Sequence, residues 1–255
     1  MARLKAVRHE DRLTLVEHLD ELRTRLIVSI LVFSVALALC FWQNHLLLDI
    51  AKGPLPDGRD RLLTFGVTEP FMTTLTVSAY GAILLSLPII LYQAYAYVLP
   101  AFSEQERRVA TPLLFLIPLL FVAGVVFAYF VVMPAATKFL LNFNDDQFNV
   151  EVRARDYYSF FTTTLLAVGV IFQVPVGILA VTRLGIVTPQ QLSHNRRYAY
   201  LIISIVAAAL PGVDPVTMLI EMVPLIVLYE LSIVLARLFG RSRSGRLPEP
   251  STQER

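Results

Sequence analysis

Carboxylates lie in two short polar segments of an otherwise strongly apolar chain. Glu21 belongs to the segment 18–26, and Glu104 and Glu106 belong to the segment 103–108. An ionised carboxylate can accept two parallel, charge-assisted hydrogen bonds from one guanidinium group. Two such carboxylates on the same side of the protein could therefore hold a pair of arginine side chains.

Glu21 and Glu106 each also have an ordinary structural explanation. Glu21 can form an ion pair with Arg25, which lies one helical turn further along the chain. Ser103 followed by Glu106 fits a capping box at the start of a helix. Taken alone, each residue is better explained by these local contacts, and only the two carboxylates together suggest a binding site.

A third group of polar side chains lies inside hydrophobic runs or close to their ends. An ionisable residue in such a run is costly, so Asp214 and Glu221 are candidate functional residues. Glu230 lies nearer the end of its run and is expected to reach the interface beside Arg237. Gln173 lies in the middle of another run, where its ordinary role is a hydrogen bond between helices.

Other features indicate no enzyme, metal site or nucleic-acid partner. The sequence contains neither H-E-x-x-H nor a phosphate-binding loop, and no Ser/His/Asp arrangement stands out. The four histidines lack metal-ligand spacing, and the single cysteine, Cys40, cannot form an internal disulfide. A net charge of +2 is too small to indicate nucleic-acid binding.

Long uncharged runs surround these polar residues and predict an all-α, polytopic membrane protein. Hydrophobic residues make up 56% of the 255 positions and charged residues only 16%, against about 25% in a soluble domain. A helix needs about 20 apolar residues to cross a bilayer. Six spans are predicted, at about 26–42, 73–98, 109–137, 157–182, 198–213 and 216–236, with polar loops at 43–69, 138–156 and 183–197.

Three regions are expected along the chain. Residues 1–25 form an amphipathic cytoplasmic segment, because apolar side chains from Leu13 to Leu26 recur at helical spacing. Residues 26–237 form the six-helix transmembrane domain, whose first run is a retained span and not a cleaved signal. Residues 238–255 form a basic tail whose composition predicts disorder.

The distribution of positive charge predicts the orientation. Of the 22 Lys and Arg residues, 16 lie in the N-terminal segment, the segments 99–108 and 183–197, and the C-terminal region from Arg237 onward, and 6 lie in the segments between. Positive residues favour the cytoplasmic side, so both termini are expected there, which requires an even number of spans.

The fifth predicted span is unusually short. Residues 198–213 give about 24 Å of helix at 1.5 Å per residue, less than a hydrocarbon core of about 30 Å. We therefore hypothesise that the last hairpin stops short of the far surface and that the bilayer is thinned around it. Prolines in the long runs bend helices and could build a concave wall, although they are also simply frequent in membrane spans.

Several motifs together resemble one known family. The segment from His18 to Leu26 resembles the H-L-x-E-L-R-x-R-L signature that opens TatC proteins, the core receptor subunit of the twin-arginine protein translocase. Further matching segments follow in order, over about residues 13–240: Glu69-Pro70-Phe71, Pro88, Tyr92-Gln93, Pro100, Glu106-Arg107-Arg108, Phe127-Ala128-Tyr129-Phe130, Pro134, Phe172-x-Val174-Pro175, Gly185-Ile186, Arg196-Arg197-Tyr198, Asp214, Pro224 and Glu230.

The resemblance implies a cupped, six-span, non-enzymatic receptor in the bacterial cytoplasmic membrane, with no cofactor. It implies partners of four kinds: twin-arginine signal peptides of folded cargo, TatA- and TatB-type single-span subunits, other TatC copies, and the lipid bilayer. Transport is then driven by the proton-motive force. In the family, the carboxylates at the positions of Glu21 and Glu106 contact the arginine pair, and Arg23 and Glu104 belong to the same two motifs. The resemblance also implies structural roles for Pro54, Pro70, Phe71, Pro88, Tyr129 and Pro175.

One position departs from the family pattern. Many members carry glutamate in an F-E-V-P motif of span four, where this chain has Gln173. A neutral amide cannot exchange a proton, so Glu221 in span six is a possible substitute if the two helices pack together.

The alternative function is a secondary transporter of a small solute or ion, for which an internal repeat or paired broken helices would be expected. A lipid-modifying membrane enzyme would need a cluster of ligands or a nucleophile with a base, and the sequence offers neither.

Overall fold

The structure, a computed structural model, describes residues 15–56, 58, 61–98, 104–148, 150–183, 185–211 and 214–239. Within these ranges the side chains of 15–17, 104–114 and 239 are not described. The described backbone is helical apart from turns, short irregular segments and one isolated β-bridge between Leu63 and Arg153. The prediction of an all-α protein is therefore confirmed.

Ten α-helices lie in the described part of the chain. They are α1 (Leu15–Trp42), α2 (Asn44–Lys52), α3 (Glu69–Val98), α4 (Glu104–Phe127), α5 (Met133–Asn142), α6 (Ala154–Ile171), α7 (Val174–Arg183), α8 (Pro189–His194), α9 (Arg196–Ala209) and α10 (Pro215–Phe239). A π-helical turn, Ala128–Val132, joins α4 to α5.

Five helical stretches among the described residues are long and apolar enough to cross a membrane. They are His18–Trp42, Glu69–Val98, Phe115–Asn142, Ala154–Arg183 and Pro215–Leu238, and they correspond to predicted spans one to four and six. The helix at the fifth predicted span, α9, has 14 residues, which is about 21 Å at 1.5 Å per residue. By length alone it falls short of a hydrocarbon core of about 30 Å.

Two of the segments predicted as loops contain helices. In segment 43–69, α2 forms because Leu47, Leu48 and Ala51 share one helical face. Ala51 is 1% exposed, and the two leucines pack against the same core. In segment 183–197, α8 begins with a capping box between Thr188 and Gln191, in which each side chain accepts a hydrogen bond from the other's backbone N–H.

Tyrosine hydroxyls hold the end of α2 against the rest of the bundle. The last carbonyls of a helix have no partner within it. The hydroxyl of Tyr129 donates to the carbonyl of Ile50 at 3.0 Å, and that of Tyr157 donates to the carbonyl of Ala51 at 2.6 Å. These bonds supply the missing partners and fix α2 to the π-helical turn and to α6.

The turn that follows α2 is also closely packed. A Cβ atom at Gly53 would collide with the Tyr129 hydroxyl, so glycine leaves room for that hydrogen bond. The carbonyl of the next residue, Pro54, accepts a hydrogen bond of 2.8 Å from the Thr137 hydroxyl. Tyr129 and Pro54, two positions assigned structural roles by resemblance, therefore meet in one contact region.

The predicted fourth span is interrupted between α6 and α7. Pro175 has no N–H to donate to the carbonyl of Ile171, so the helix cannot continue regularly through this point. Phe172 and Gln173 form the interruption. The Gln173 side chain donates to the carbonyl of Ile117 in α4 at 3.3 Å, which is the hydrogen bond between helices that the sequence predicted.

Glycines allow α4 and α6 to approach closely next to this interruption. A Cβ atom at Gly124 would lie 2.7 Å from the Phe172 ring, and one at Gly169 would lie 2.8 Å from the Phe121 ring. Small residues at a crossing of two membrane helices let the backbones pack together. The close crossing fixes α6, and with it the side chains at both of its ends.

Candidate functional site

The start of α1 and the end of α3 form a polar cluster of His18, Glu21, Arg25, Gln93 and Tyr97, which we call the α1–α3 cluster. The rings of His18 and Tyr97 stack with their centroids 4.3 Å apart. The two helices are therefore antiparallel and adjacent along their lengths. We call this end of the bundle the first end, and the end that carries Glu69 the second end.

Within the α1–α3 cluster, one oxygen of Glu21 is held firmly and the other is not. Arg25 donates to Oε1 of Glu21 through Nε at 3.0 Å and through Nη2 at 2.5 Å. Arg25 Nη1 also donates to Oε1 of Gln93 at 2.9 Å. Among the residues whose side chains are described, the one charged or ionisable group paired with Oε2 of Glu21 is His18, with Nδ1 at 3.9 Å. A carboxylate offers about four acceptor positions, so Oε2 of this oriented group can accept further donors.

The ion pair with Arg25 is the ordinary structural contact expected for Glu21. It does not remove the carboxylate from solvent, because the Glu21 side chain keeps 25% of its surface exposed. Sequence reasoning missed the role of Gln93, which binds Arg25 and so joins the ion pair of α1 to α3. The available signal was Gln93 itself, a polar amide in the otherwise aliphatic and aromatic end of α3.

The other sequence-predicted members of the site are described only in part. Glu104 and Glu106 lie in the first turn of α4, but their side chains lie outside the described residues. The start of α4 follows Val98 by six residues, which can span at most about 20 Å. The backbone of α4 therefore begins near the first end, the end of Glu21. Arg23 is exposed on α1.

At the second end, Glu69 joins the start of α3 to the start of α6. Its carboxylate accepts from Arg153 Nε at 2.8 Å and Nη2 at 3.1 Å. The backbone N–H groups of Phe65 and Gly66 donate to Oε2 at 3.0 and 3.2 Å. Glu69 is only 7% exposed, and the neighbouring carboxylate raises the pKa of the Arg153 guanidinium.

The sequence analysis noted Glu69 only as part of a motif and missed this ion pair. Glu69 and Arg153 are 84 positions apart in the chain, so no local sequence pattern indicates that they pair. The next residue, Pro70, lies in the first turn of α3, where proline is well tolerated. Phe71 is exposed at the second end, and Pro88 lies inside α3 without ending it.

Two of the carboxylates predicted to lie in the membrane have different surroundings. Asp214 caps α10, since its Oδ1 accepts from the backbone N–H of Thr217 at 2.8 Å. Glu221 is 2% exposed, and neither of its carboxylate oxygens has a hydrogen-bond partner among the described residues. It lines a cavity of about 10 Å³ together with Phe172 and Leu210, a size at which one water molecule begins to fit.

Gln173 and Glu221 are neighbours without being partners. Phe172, beside Gln173, lines the cavity that Glu221 faces, whereas the Gln173 amide is directed to α4. The packing of α7 against α10 that the sequence hypothesis required is present.

The prediction that Glu230 lies beside Arg237 was wrong. Its carboxylate accepts from Arg196 Nη2 at 2.8 Å and from the Tyr200 hydroxyl at 2.7 Å, both on the adjacent α9. Arg237 instead donates to Ser193 Oγ at 2.9 Å. Arg237 lies two turns beyond Glu230 on the same helix, about 10 Å along its axis, so an antiparallel neighbour supplies the nearer cation.

No group of three or more His, Cys, Asp or Glu residues that could hold a metal ion is found in the part of the chain that the structure describes. The described polar residues instead form separate small clusters at the two ends, with Glu221 between them. The arrangement can bind charged groups at its ends, and it presents one buried acid in its interior.

Comparison with protein families gives a match over most of the chain. The family model described as Sec-independent protein translocase protein (TatC) matches residues 17–224. The Sec-independent protein translocase protein TatC of Carboxydothermus hydrogenoformans is 36% identical over 230 residues, which cover 89% of this chain and 95% of that protein. The protein of the same name from Aquifex aeolicus is 34% identical over 233 residues, covering 90% of this chain and 97% of that one.

Solved structures agree with these matches. A crystal structure titled twin arginine translocase receptor TatC is 34% identical to this chain, with a TM-score of 0.74. The match covers 88% of this chain and 100% of that one. A second crystal structure of a TatC receptor, in DDM, has a TM-score of 0.75 at 34% identity and covers 86% of this chain and 99% of that one.

We expect Glu69→Gln to lower the thermal unfolding temperature of the purified protein by several degrees. The amide keeps the size of the side chain but loses the charge that Arg153 and two backbone N–H groups bind, and hydrogen bonds to charged groups are the stronger ones. Differential scanning fluorimetry in detergent measures the effect. Glu151→Gln, an exposed carboxylate in the same segment, serves as the control and should leave the temperature unchanged. If Glu69→Gln matches this control, the ion pair does not stabilise the second end.

Proposed function

Because this chain belongs to the TatC family of Sec-independent protein translocase proteins, we propose that it binds the twin-arginine signal peptides of folded proteins at the cytoplasmic face. It is a component of the protein translocase to which its relatives belong. The observation that carries the binding role is the oriented carboxylate of Glu21, which keeps one oxygen available at the first end.

Arginine is the ligand that suits this carboxylate. Its guanidinium presents a planar fork of donors, whereas a lysine ammonium is a point charge without that geometry. Arg25 occupies Oε1 and holds the carboxylate against Gln93. The free side of Glu21 then accepts one arginine of the signal, without the entropy loss of ordering a mobile glutamate.

Glu106 is proposed to accept the second arginine. It lies in the first turn of α4, which begins near the same end of the bundle. Glu104 and Arg23 are proposed to set the charge around the two acceptors. A pair of carboxylates on separate helices would match the pair of consecutive arginines in the ligand.

The proposed role is that of a receptor and not of an enzyme, with no cofactor. The relatives of this chain are a translocase protein and a translocase receptor. A secondary transporter of a small solute or ion is not favoured, because the family and its solved structures are concerned with protein translocation. The proposed partners are TatA- and TatB-type single-span subunits and other copies of TatC, within the bacterial cytoplasmic membrane.

The proposed topology has six spans with both termini in the cytoplasm, with the spans in the cupped arrangement expected from the family. α9 is the additional span, and the hairpin of α9 and α10 would cross a locally thinned bilayer. The length of α9, 14 residues, supports the thinning. The ion pair of Arg196 and Glu230 lies at the open end of this hairpin, where positive residues favour the cytoplasmic side. The turn at Val213 lies outside the described residues.

We expect Glu21→Gln combined with Glu106→Gln to weaken binding of a twin-arginine signal peptide by about 10- to 100-fold. This corresponds to the 1.5–3 kcal/mol of a hydrogen bond to a charged group. Fluorescence anisotropy with a labelled signal peptide and the purified protein gives the dissociation constant. A twin-lysine peptide should bind the parent protein with a similar loss, since it lacks the guanidinium forks.

The matched control for this experiment is Asp20→Asn. Asp20 precedes Glu21 on α1 and is exposed, so its substitution removes one neighbouring carboxylate charge without touching the α1–α3 cluster. Expression and thermal unfolding should be normal in both variants. Binding by the doubly substituted protein that equals binding by Asp20→Asn would refute the assignment of the arginine site.

The topology is tested by labelling single cysteines in intact cells with a membrane-impermeant maleimide, in a Cys40→Ala background. Asp146→Cys should react from outside. His194→Cys and Leu238→Cys should react only after the membrane is opened, because both lie at the first end of the bundle. All three positions are exposed. Labelling of Leu238→Cys from outside would show that α9 and α10 do not form a hairpin returning to the cytoplasm.

Glu221 is proposed to exchange a proton during transport. Its two unpartnered oxygens face a cavity between α10 and the interruption of the fourth span. The other residues that line the cavity are apolar. Asp214, which does not line it, lies seven residues before Glu221, or about two helical turns. A buried carboxyl group without a partner is expensive when charged, so a change in its charge would alter the packing of α10.

We expect Glu221→Gln to reduce export of a twin-arginine substrate at least tenfold while signal-peptide binding stays normal. The amide has the same shape but cannot take up or release a proton. Glu221→Asp, which can still exchange a proton, should retain part of the activity. Export is measured in cells in which this chain is the only TatC protein. Export at the parent rate in Glu221→Gln would end the proposal without affecting the receptor role.

A further inference from the structure

A second and larger cavity lies at the second end, between the first turns of α3 and α6. Its volume is about 510 Å³, within the range of about 300–1,000 Å³ typical of ligand sites. Its walls combine hydroxyl-bearing residues with two arginines and one acid; those the argument needs are Glu69, Thr73, Arg153, Arg155 and Ser159. The arginine-binding role proposed for the first end does not involve this cavity.

The cavity lies at the depth of the lipid headgroups. α3 has 30 residues, or about 45 Å of helix, which matches the 40–45 Å of a bilayer that includes its headgroup layers. The stretch from α6 to α7 also has 30 residues. The first turns of both helices therefore extend beyond the hydrocarbon core, into the layer where phosphate groups lie.

Two polar groups in the cavity have no partner among the described residues. Thr73 is 7% exposed, and its hydroxyl oxygen has no hydrogen-bond partner among the described residues. Arg155 forms no ion pair with a described side chain, whereas Arg153 is bound by Glu69. A buried hydroxyl without a partner costs free energy, so a ligand with acceptor oxygens would stabilise this region.

The start of α6 adds backbone donors to the same place. Arg153 occupies the position before the helix and provides no side-chain cap. The N–H groups of Arg155 and Asp156 therefore have no carbonyl to reach within the helix. Such N–H groups, together with the helix dipole, attract an anion.

On the side of α3, exposed apolar residues include Met72, which lines the cavity, and direct chain neighbours of other lining residues. Phe65, Val67, Phe71 and Met72 are all exposed, and Val67 is fully so. Apolar side chains beside a positively charged pocket at headgroup depth suit a ligand with acyl chains below an anionic group. The lining charges of Glu69, Arg153 and Arg155 leave one net positive charge, which matches one phosphodiester.

We propose that this cavity binds the phosphodiester of a membrane phospholipid, with Arg155, Thr73 and the start of α6 as donors and with the acyl chains along Phe71 and Met72. The guanidinium of Arg155 donates to the phosphate oxygens, and the Thr73 hydroxyl gains the partner it lacks. The ion pair of Glu69 and Arg153 forms the wall and keeps the two helices at the spacing that the headgroup requires.

Native mass spectrometry of the purified full chain, titrated with dioleoylphosphatidylglycerol, tests the proposal. The parent should bind one lipid more tightly than the rest. Arg155→Gln should weaken that binding at least fivefold. Arg61→Gln, an exposed arginine at the same end that does not line the cavity, should leave it unchanged. Equal lipid binding by the two variants would overturn the proposal.

Two further measurements separate binding from folding and lipid from free phosphate. Thr73→Val removes only an unpartnered hydroxyl, so it should leave the unfolding temperature in lipid-free detergent equal or higher while it weakens lipid binding. A lower temperature with unchanged lipid binding would contradict the role of Thr73 as a donor. Inorganic phosphate at millimolar concentration should not displace the lipid, and displacement would mean that the site takes a free anion instead.

Discussion

The bilayer's exclusion of unpaired charge determines where every polar group of this protein can lie. Charged side chains in the described residues gather at the two ends of the helices, and most of the buried ones have partners. Glu69 has an arginine and two backbone N–H groups, and Glu21 has Arg25 and, through it, Gln93. Because the described charged side chains other than Glu221 lie at the ends, the sites proposed for charged ligands are located there.

The two ends use the same chemistry for different purposes. At the second end, Glu69 is 7% exposed and all its contacts are internal, so it joins helices and has little capacity for a ligand. At the first end, Glu21 binds one arginine of its own chain through a single oxygen and keeps a quarter of its side-chain surface exposed. Exposure and the number of free acceptor positions therefore distinguish the structural carboxylate of Glu69 from the one proposed to bind a signal peptide, although both contact an arginine.

Much of this arrangement could be predicted from the sequence, because bilayer spans depend on local composition. The long apolar runs predicted the five membrane-length helical stretches, and the motif around Glu21 predicted the candidate site. Contacts between distant segments could not be predicted in this way. The pairing of Glu69 with Arg153 and of Glu230 with Arg196 depends on which helices become neighbours. α2 was missed because its buried face is short and lies within a polar segment.

Asp214 and Glu221 carry the same functional group, seven residues apart, yet a hydrogen bond of the described structure depends on the charge of only one of them. The carboxylate of Asp214 accepts a backbone N–H at the start of α10, where the helix dipole favours a negative charge. Protonation there would remove a helix cap. Glu221 has no such contact among the described residues and faces a cavity that holds about one water molecule. Gain or loss of a proton at Glu221 breaks no hydrogen bond within the described structure, so its cost depends on the surrounding helices and on any water in the cavity.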